Sequence, residues 1–306
     1  MTNFKKIGLT ALAGTLAATV AQAGALSVSG TATMEYQSTK ATSATAADSF
    51  GQNATVTFSG SGELDNGHTV SMYQALSGGT LTSQAVSLDM GDMGTLSIAS
   101  ANKAGIGTIQ DMVPNGGEQP WDDLGTHGAP EQGVASPHSG NRLGYLVNAG
   151  GAIVSAAMDY QQNSATTSMA VQLPNLVEGF NIGGGIATDQ SSATTEQDIE
   201  TLYATYTMGS ISVGYQTTEV DVTAANSDIE RTGYGISFAV NENMSIGYGV
   251  SDTEFDAQSF DEENTGIGAS YTAGGMTLGV IHNVKDNEGG ANVDHEMTEF
   301  KLTFAF

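Results

Sequence analysis

The stretch from residue 104 to residue 140 carries an unusual group of carboxylates. It also contains four of the five prolines and the only tryptophan, Trp121. Because proline cannot donate a hydrogen bond to a sheet, this stretch is predicted to be a long loop. Carboxylates on a loop can attract cations, hold a hard metal ion or act as acids and bases. The candidates are Asp111, Glu118, Asp122, Asp123 and Glu131.

Catalysis is the least supported of these chemistries. His127 and His138 share the loop with the carboxylates Asp122, Asp123 and Glu131, which is the best triad or metal constellation in the chain, and Ser136 and Ser139 lie beside them. Nothing in this spacing orients a nucleophile, and the motifs of serine hydrolases, zinc proteases, P-loop enzymes and dinucleotide-binding folds are absent. The lack of cysteine excludes disulfides and thiolate zinc sites. We therefore predict no catalytic residues and no enzyme activity.

The charge balance is strongly acidic. Eight Lys and Arg residues stand against 33 Asp and Glu residues, so the net charge is −25. Such a charge repels nucleic-acid phosphates and excludes nucleic acid as a partner. Acidic segments such as 252–263 and 286–296 offer oxygen ligands that would suit Ca²⁺ or Mg²⁺. None has the spacing of a calcium-binding loop, and a solvated, repelling face explains them as well. No other cofactor is expected.

The N-terminus predicts export. Lys5 and Lys6 precede an apolar stretch from Ile7 to Val20, which is followed by Ala21-Gln22-Ala23. A basic start, a short apolar core and small residues at a cleavage site are typical of a secretory signal peptide. We expect residues 1–23 to be removed and residues 24–306 to form one domain. A buried N-terminal helix is the alternative.

Beyond residue 24 the chain alternates with a period of two, which predicts β-strands. Phe300, Leu302 and Phe304 share one face of the last strand. The opposite faces of such strands carry small residues, for example Gly235 and Gly247, instead of the charges that keep an exposed face soluble. A β-sandwich would also alternate. However, this composition is typical of strands whose apolar side meets lipid and whose small polar side lines a water-filled lumen.

The segments predict an all-β fold, a transmembrane antiparallel up-and-down β-barrel of about sixteen strands. Tight turns such as Asp65-Asn66-Gly67 alternate with longer connectors, as in such barrels. The predicted strands are 25–38, 51–64, 68–77, 82–90, 95–103, 141–148, 151–162, 166–173, 180–189, 198–208, 211–222, 229–240, 244–255, 265–273, 276–286 and 295–306. Pro174 is expected just past a strand end. The longer connectors include 39–50, 190–197, 223–228, 256–264 and 287–294.

Strand parity places four basic residues on the inner face of this barrel. Glu35, Asp159 and Glu299 fall on the same face. Plainer roles remain open, because Lys103 and Arg142 flank the long loop and can simply pin it. Glu299 and Lys301 can likewise neutralise each other, and Arg231 can sit near a rim. The predicted basic wall residues are Lys103, Arg142, Arg231 and Lys301.

The chain resembles a Gram-negative general diffusion porin, most of all the alphaproteobacterial porins. The resemblance rests on the leader, the long loop after the fifth strand and the terminal Phe306, and on two strand starts, Leu26-Ser27-Val28-Ser29-Gly30 and Asn141-Arg142-Leu143-Gly144-Tyr145. It implies an outer-membrane homotrimer surrounded by lipid and lipopolysaccharide. It also implies that the loop 104–140 folds inward and narrows the pore.

Together these features predict a channel for the passive diffusion of small hydrophilic solutes and ions, with a preference for cations. Two alternatives remain open. One is a substrate-selective outer-membrane channel in which Trp121 and the loop recognise a solute, although Trp121 is better explained as a packing anchor. The other is a secreted β-rich structural or adhesive protein without a pore.

Overall fold

A computed structural model describes residues 26–42, 44–100, 102–119, 121, 124, 141–161, 164–192, 195–224 and 227–306. Sixteen antiparallel strands form one closed barrel, in which each strand pairs with its neighbours in the chain and the last pairs with the first. The predicted all-β, up-and-down barrel is confirmed. The predicted signal peptide, residues 1–23, lies outside the described residues. Within them, no helix has the length and apolar character needed to cross a membrane.

The strands differ in length by up to fourfold, and the shortest is the one before the long loop. They are β1 (Ser27–Ala41), β2 (Ala44–Glu63), β3 (Thr69–Ser77), β4 (Thr80–Asp89), β5 (Thr95–Ala99), β6 (Arg142–Ala149), β7 (Ala152–Gln161), β8 (Ser164–Val177), β9 (Phe180–Ser192), β10 (Thr195–Met208), β11 (Ile211–Val222), β12 (Ile229–Asn241), β13 (Met244–Phe255), β14 (Glu262–Ala273), β15 (Met276–Asp286) and β16 (His295–Ala305).

Alternation sorts the side chains between two surfaces. On β10, Leu202 is 61% exposed, whereas its neighbours Thr201 and Tyr203 are 2% and 3% exposed. Large apolar side chains such as Ile236 and Phe300 also lie on the outer surface. An apolar outer wall around a smaller-residue interior is the arrangement of a barrel that crosses a membrane.

The barrel closes between its first and last strands. Pairing runs from Thr31 with Ala305 to Ala41 with His295. The amides of Gly30 and Phe306 each donate to the carbonyl of the other, at 2.8 and 3.0 Å. Closure leaves no sheet edge with unpaired backbone groups. Hydrocarbon could not solvate such groups.

The predicted asymmetry holds in part, because one rim has only short turns while the other carries the longer connections together with several two-residue turns. Gly209 and Gly274 have φ values of 60° and 62° and join β10 to β11 and β14 to β15. Glycine occupies this left-handed region without a steric cost. At the opposite rim, the connection between β15 and β16 contains a short 3-10 helix, Glu288–Gly290.

Two predicted connectors are wrong. Residues 39–50 and 190–197 lie almost entirely in the β1–β2 and β9–β10 hairpins. Their polar composition favoured loops. However, the hydrogen bonds of a sheet join backbone groups, so strand pairing can continue in polar sequence beyond the hydrocarbon layer of the membrane. Pro174 is also inside β8. It lies where the pairing with β9 jumps from Leu173 to Val177, so its missing N–H interrupts no ladder.

Candidate functional site

The connection between β5 and β6 folds into the barrel. It begins with the 3-10 helix Gly105–Ile109, which is almost wholly buried. Gln216 on β11 donates through Nε2 to the carbonyl oxygens of Ile109 and Gln110, at 3.1 and 3.0 Å. β11 lies far along the wall from β5, so the described part of the predicted constriction loop is inside the lumen.

Apolar packing fixes the start of this loop. Ile106 and Ile109 are 1% and 0% exposed. Each buried isoleucine side chain contributes about 2 kcal/mol through its removal from water. Their partners are inward-facing side chains of four consecutive strands, β8 to β11. These partners are Ala170, Ala187, Ile199, Tyr203 and Val220.

Glycines on the inner wall let the loop lie directly against the strands. A Cβ at Gly214 would lie 2.2 Å from Pro114 Cδ, and one at Gly235 would lie 2.2 Å from the Pro114 carbonyl oxygen. A Cβ at Gly247 would lie 2.2 Å from the amide nitrogen of Gly116. Sequence analysis assigned Gly235 and Gly247 to the water-filled lumen, which is wrong, because these positions are in contact with the loop.

The loop covers the inner wall from β6 to β16. Each of these strands has at least one buried inward-facing side chain, including Gln216 on β11 at 0% exposure. Ser155 on β7 donates to the Gly105 carbonyl at 3.1 Å. Asn283 on β15 donates through Nδ2 to the Gln119 carbonyl at 3.2 Å. Direct hydrogen bonds thus attach the loop to both ends of this long arc.

The opposite wall, β1 to β4, stays open. Among the described residues, no inward-facing side chain of β1, β2 or β3 is buried. A space of about 490 Å³ runs beside this wall. The ammonium of Lys103 projects there and lies 5.0 Å from the centre of the Tyr73 ring, a cation–π contact. The lining residues include Ser59, Ser71, Tyr73, Ser87, Asp89, Thr95 and Lys103.

Glu118 brings a carboxylate of the loop to β16. Its Oε1 lies 2.5 Å from Lys301 Nζ, which also lies 2.9 Å from Glu299 Oε1. Gln37 on β1 donates through Nε2 to Glu299 Oε2 at 2.6 Å. Burial raises the pKa of Glu118 to about 7, and the nearby Glu299 adds to this rise while the hydrogen bond from Lys301 opposes it. The expected contact between Glu299 and Lys301 is confirmed, with Glu118 as a third member.

The other predicted basic residues have different surroundings. Arg142 is 8% exposed and donates through Nη2 to Asn102 Oδ1 at 3.1 Å, so it pins the start of the loop. Arg231 is 5% exposed and faces inward on β12, within the part of the inner wall that the loop covers. Lys103 faces the open space, but it lies beyond the end of β5 and not on the strand as predicted. Lys103 and Lys301 are therefore the two of these four basic residues whose side chains remain accessible to solvent.

Two of the five predicted acidic residues, Asp111 and Glu118, lie within the described residues. Asp111 is exposed on the loop and accepts a hydrogen bond from Gln119 Nε2. Trp121 is 2% exposed and donates through Nε1 to Gln119 Oε1 at 3.0 Å, which confirms it as a packing anchor. Asp122, Asp123, Glu131, His127 and His138 lie outside the described residues, and the positions expected for them stay predictions.

A buried ion pair was missed by the sequence analysis. Lys285 Nζ lies 3.2 Å from Glu262 Oε1, and both side chains are 0% exposed. Asn264 donates to the same carboxylate at 3.1 Å, and the Gly289 amide donates to its other oxygen at 2.7 Å. Strand parity already places Lys285 inward, two residues from Asn283, so a signal was present. Strand parity predicts which side of the sheet a residue faces, but it does not predict that a connection covers that residue.

The described part of the chain contains no preformed site for the divalent cations that the sequence predicts. No three His, Asp or Glu side chains there are grouped so that they could hold a metal ion. Binding of Ca²⁺ or Mg²⁺ at the acidic segments stays a prediction.

Comparisons with known proteins agree with this geometry. A family model described as Gram-negative porin matches residues 8–306. No curated protein sequence matches the chain.

Several solved structures are similar over 92% of the chain. The anion-selective porin from Comamonas acidovorans has a TM-score of 0.71 at 15% identity, with 100% of that chain covered. A mutant of the Rhodobacter blastica porin has a TM-score of 0.66 at 15% identity, also with 100% covered. The trimer form of OmpT, an outer membrane protein of Vibrio cholerae, has a TM-score of 0.69 at 11% identity and 100% coverage. At these identities the likeness concerns the fold.

Proposed function

Because this chain belongs to the Gram-negative porin family, we propose that it lets small hydrophilic solutes and ions diffuse passively through a water-filled pore, with a preference for cations. The family and the closed sixteen-strand barrel identify an outer-membrane channel. A secreted β-rich protein without a pore is therefore set aside.

The main support for passive diffusion is the one-sided position of the loop. It is attached to β6–β16 and leaves the hydroxyl-lined wall of β1–β4 open. Serine and threonine hydroxyls can exchange hydrogen bonds with water and with many polar solutes, without selecting one of them. Solutes would pass between the loop and this wall.

The cation preference is supported by the charges along the path. Glu118 and Asp111 come from the loop, and Asp89 lines the open space. Lys103 is the basic residue in the lining of that space, and the ammonium of Lys301 is already shared by two carboxylates. An excess of negative charge at a narrow passage raises the local concentration of cations.

Reversal potentials measured in planar bilayers under a KCl gradient test this preference. K⁺ should permeate at least about twofold better than Cl⁻ near pH 8, since fixed negative charge excludes anions. Replacing Asp122 and Asp123 by asparagine should lower the ratio if these residues face the passage. A ratio below one for the native protein would defeat the proposal.

A substrate-selective channel is the less favoured candidate. Trp121 was its best recognition residue, yet the indole is 2% exposed and its N–H is bonded to Gln119. Stacking with a passing solute would require this packing to open. Open, salt-proportional conductance that sugars and amino acids do not block would agree with passive diffusion. We also propose that the chain has no catalytic role, because its described residues include no recognisable nucleophile with an oriented base.

We further propose a homotrimer in contact with lipopolysaccharide. The similar OmpT structure is a trimer form. On the outer wall of this chain, carboxylates stand directly opposite one another, Glu200 with Glu219, Glu219 with Glu230, and Glu230 with Glu254. Like charges at such positions repel, and divalent cations that screen them would also bridge to lipid phosphates.

Native mass spectrometry of the purified protein tests the trimer. Thermal denaturation with Mg²⁺ or with EDTA tests the screening, which should raise the melting temperature by several degrees. Equal melting temperatures would exclude it.

A further inference from the structure

The contact between the loop and β16 joins three charged side chains into one unit. Glu118 and Glu299 lie 2.5 and 2.9 Å from the same ammonium, that of Lys301. We propose that this unit sets the ion selectivity of the channel, that Glu299 is a selectivity-determining residue, and that uptake of one proton by the unit weakens the cation preference. The inference rests on the proposed function, because it concerns ions that pass the loop.

The geometry holds the two carboxylates together. Glu299 is 1% exposed, and Gln37 donates to its other oxygen at 2.6 Å, so this carboxylate cannot turn away toward water. Glu118 and Lys301 remain 25% and 28% exposed. They are therefore in reach of ions, whereas Glu299 acts from behind them.

One ammonium cannot neutralise two carboxylates. With all three groups ionised the unit has one net negative charge, and with one carboxyl protonated it is neutral. Two carboxylates held this close favour the uptake of one proton, because each ionised group disfavours ionisation of the other. The proton comes from the solvent and lies on the Glu118–Glu299 pair. Burial and the neighbouring Glu299 raise the pKa of Glu118 to about 7, so this uptake falls near neutral pH.

Among the described residues, few other charged groups lie near the unit. On β1, Glu35 pairs with Lys301 in the ladder, and its carboxylate lies over Gly51 of β2. On the loop, Asp111 is linked through Gln119.

Among the described residues that line the space beside Glu118, β14 and β15 contribute no charge. Those residues are Ala269, Ser270, Thr277, Gly279, Val280 and Ile281. The described histidines lie elsewhere, His68 just before β3, His295 at the rim with Glu288 at 2.8 Å and His282 on the outer face with Thr298 at 2.9 Å.

The sign of the pH dependence follows directly. Above about pH 7 the unit is negative and attracts cations, and below it the unit is neutral. The K⁺/Cl⁻ permeability ratio should therefore fall by roughly half or more between pH 8.5 and pH 5.5, with a midpoint near 7. The folded, full-length mature channel in planar bilayers is the material to measure.

Three variants distinguish protonation of this unit from protonation of other carboxylates in the chain. Glu118→Gln and Glu299→Gln should each lower the ratio at pH 8.5 and remove the step near pH 7. Lys301→Gln should raise the ratio at pH 5.5, where the singly protonated pair keeps one uncompensated carboxylate, and should move the step to higher pH, because the ammonium that favours the ionised carboxylates is gone. Glu242→Gln, in the exposed turn between β12 and β13, is the matched control and should behave as the native channel.

The outcomes distinguish this inference from the proposed function. No conductance, or anion preference at pH 8.5, would defeat the proposed function. Cation preference that is unaffected by pH between 8.5 and 5.5, or a step that survives in Glu118→Gln, would overturn the inference alone. Folding of each variant is checked by heat-modifiable gel mobility. If one fails, Glu118→Asp and the native pH titration still decide, because a purely structural contact would move neither the step nor its midpoint.

Discussion

The inner wall of the barrel has a covered arc and an open arc, and the two differ in which small residues face inward. On the covered arc these are often glycines, as at Gly214, Gly235 and Gly247, and the loop lies within van der Waals distance of the strand backbone. On the open arc they are mostly hydroxyls, as at Ser59 and Ser71, and space remains beside them. Both types satisfy the same two-residue alternation. Glycine permits a backbone to approach, whereas a hydroxyl keeps it away and bonds water.

The covered arc is also held from the loop side. Ile106 and Ile109 fill an apolar site on β8–β11, Glu118 forms an ion pair with Lys301, and Leu124 packs with Ile281 and Met297. The loop is therefore attached at its start by apolar packing and farther along by both an ion pair and apolar contacts. We expect the size of the passage to depend on the packing of Ile106 and Ile109, and we propose that its selectivity depends on the ion pair of Glu118 with Lys301.

The largest expected effect comes from removing the apolar attachment. Replacing Ile106 and Ile109 together by alanine should cost on the order of 2–5 kcal/mol for each side chain, since both are fully buried. The start of the loop should then leave the covered arc for part of the time. Single-channel recordings should show a higher mean conductance and added open-channel noise.

The control for this variant is an isoleucine on the lipid side. Ile246→Ala on β13 removes the same atoms from a side chain that is 40% exposed on the outer wall. Its conductance should equal that of the native channel. If the double variant also had the conductance of the native channel, apolar packing would not be what keeps the loop on the wall.

A single methyl group on the covered arc should have a smaller effect. In Gly247→Ala the new Cβ would lie 2.2 Å from the Gly116 amide nitrogen, whereas in Gly268→Ala its nearest neighbour would be 3.7 Å away. Overpacking of this kind costs roughly 1–3 kcal/mol. The first change should push the loop toward the open arc and lower the conductance by tens of per cent. The second change should leave the conductance unchanged. Equal effects of the two variants would mean that close contact between Gly247 and the loop does not position the loop.

Much of this architecture could be predicted from local sequence. Alternation gave the number of strands, the faces of residues such as Lys301 and Glu299, and the closed barrel, because inward and outward positions are fixed by parity. The four prolines and Trp121 marked the loop. These are features that a short window of sequence contains.

The remaining errors involve contacts between distant segments. Nothing near Gly247 in the chain indicates that Gly116 lies on it, so its role was taken for that of a lumen residue. The burial of Lys285 with Glu262 likewise depends on a connection that covers both. The extents of the β1–β2 and β9–β10 hairpins were missed for a different reason, since strand pairing above the lipid leaves no apolar pattern.

The smallest expected effect lies on the open arc. Lys103→Gln removes the exposed ammonium that faces the passage next to Tyr73. The K⁺/Cl⁻ permeability ratio should rise, but only by a factor of about 1.5 in 0.1 M salt, because exposed charges are screened over roughly 10 Å there. The increase should be larger at 0.01 M salt, where the screening length is about 30 Å. Lys40→Gln is the matched control, since this exposed lysine lies on the outer face of β1, 3.0 Å from Glu296. A similar rise in both variants would mean that overall charge sets selectivity, and the open arc would then have no special part in it.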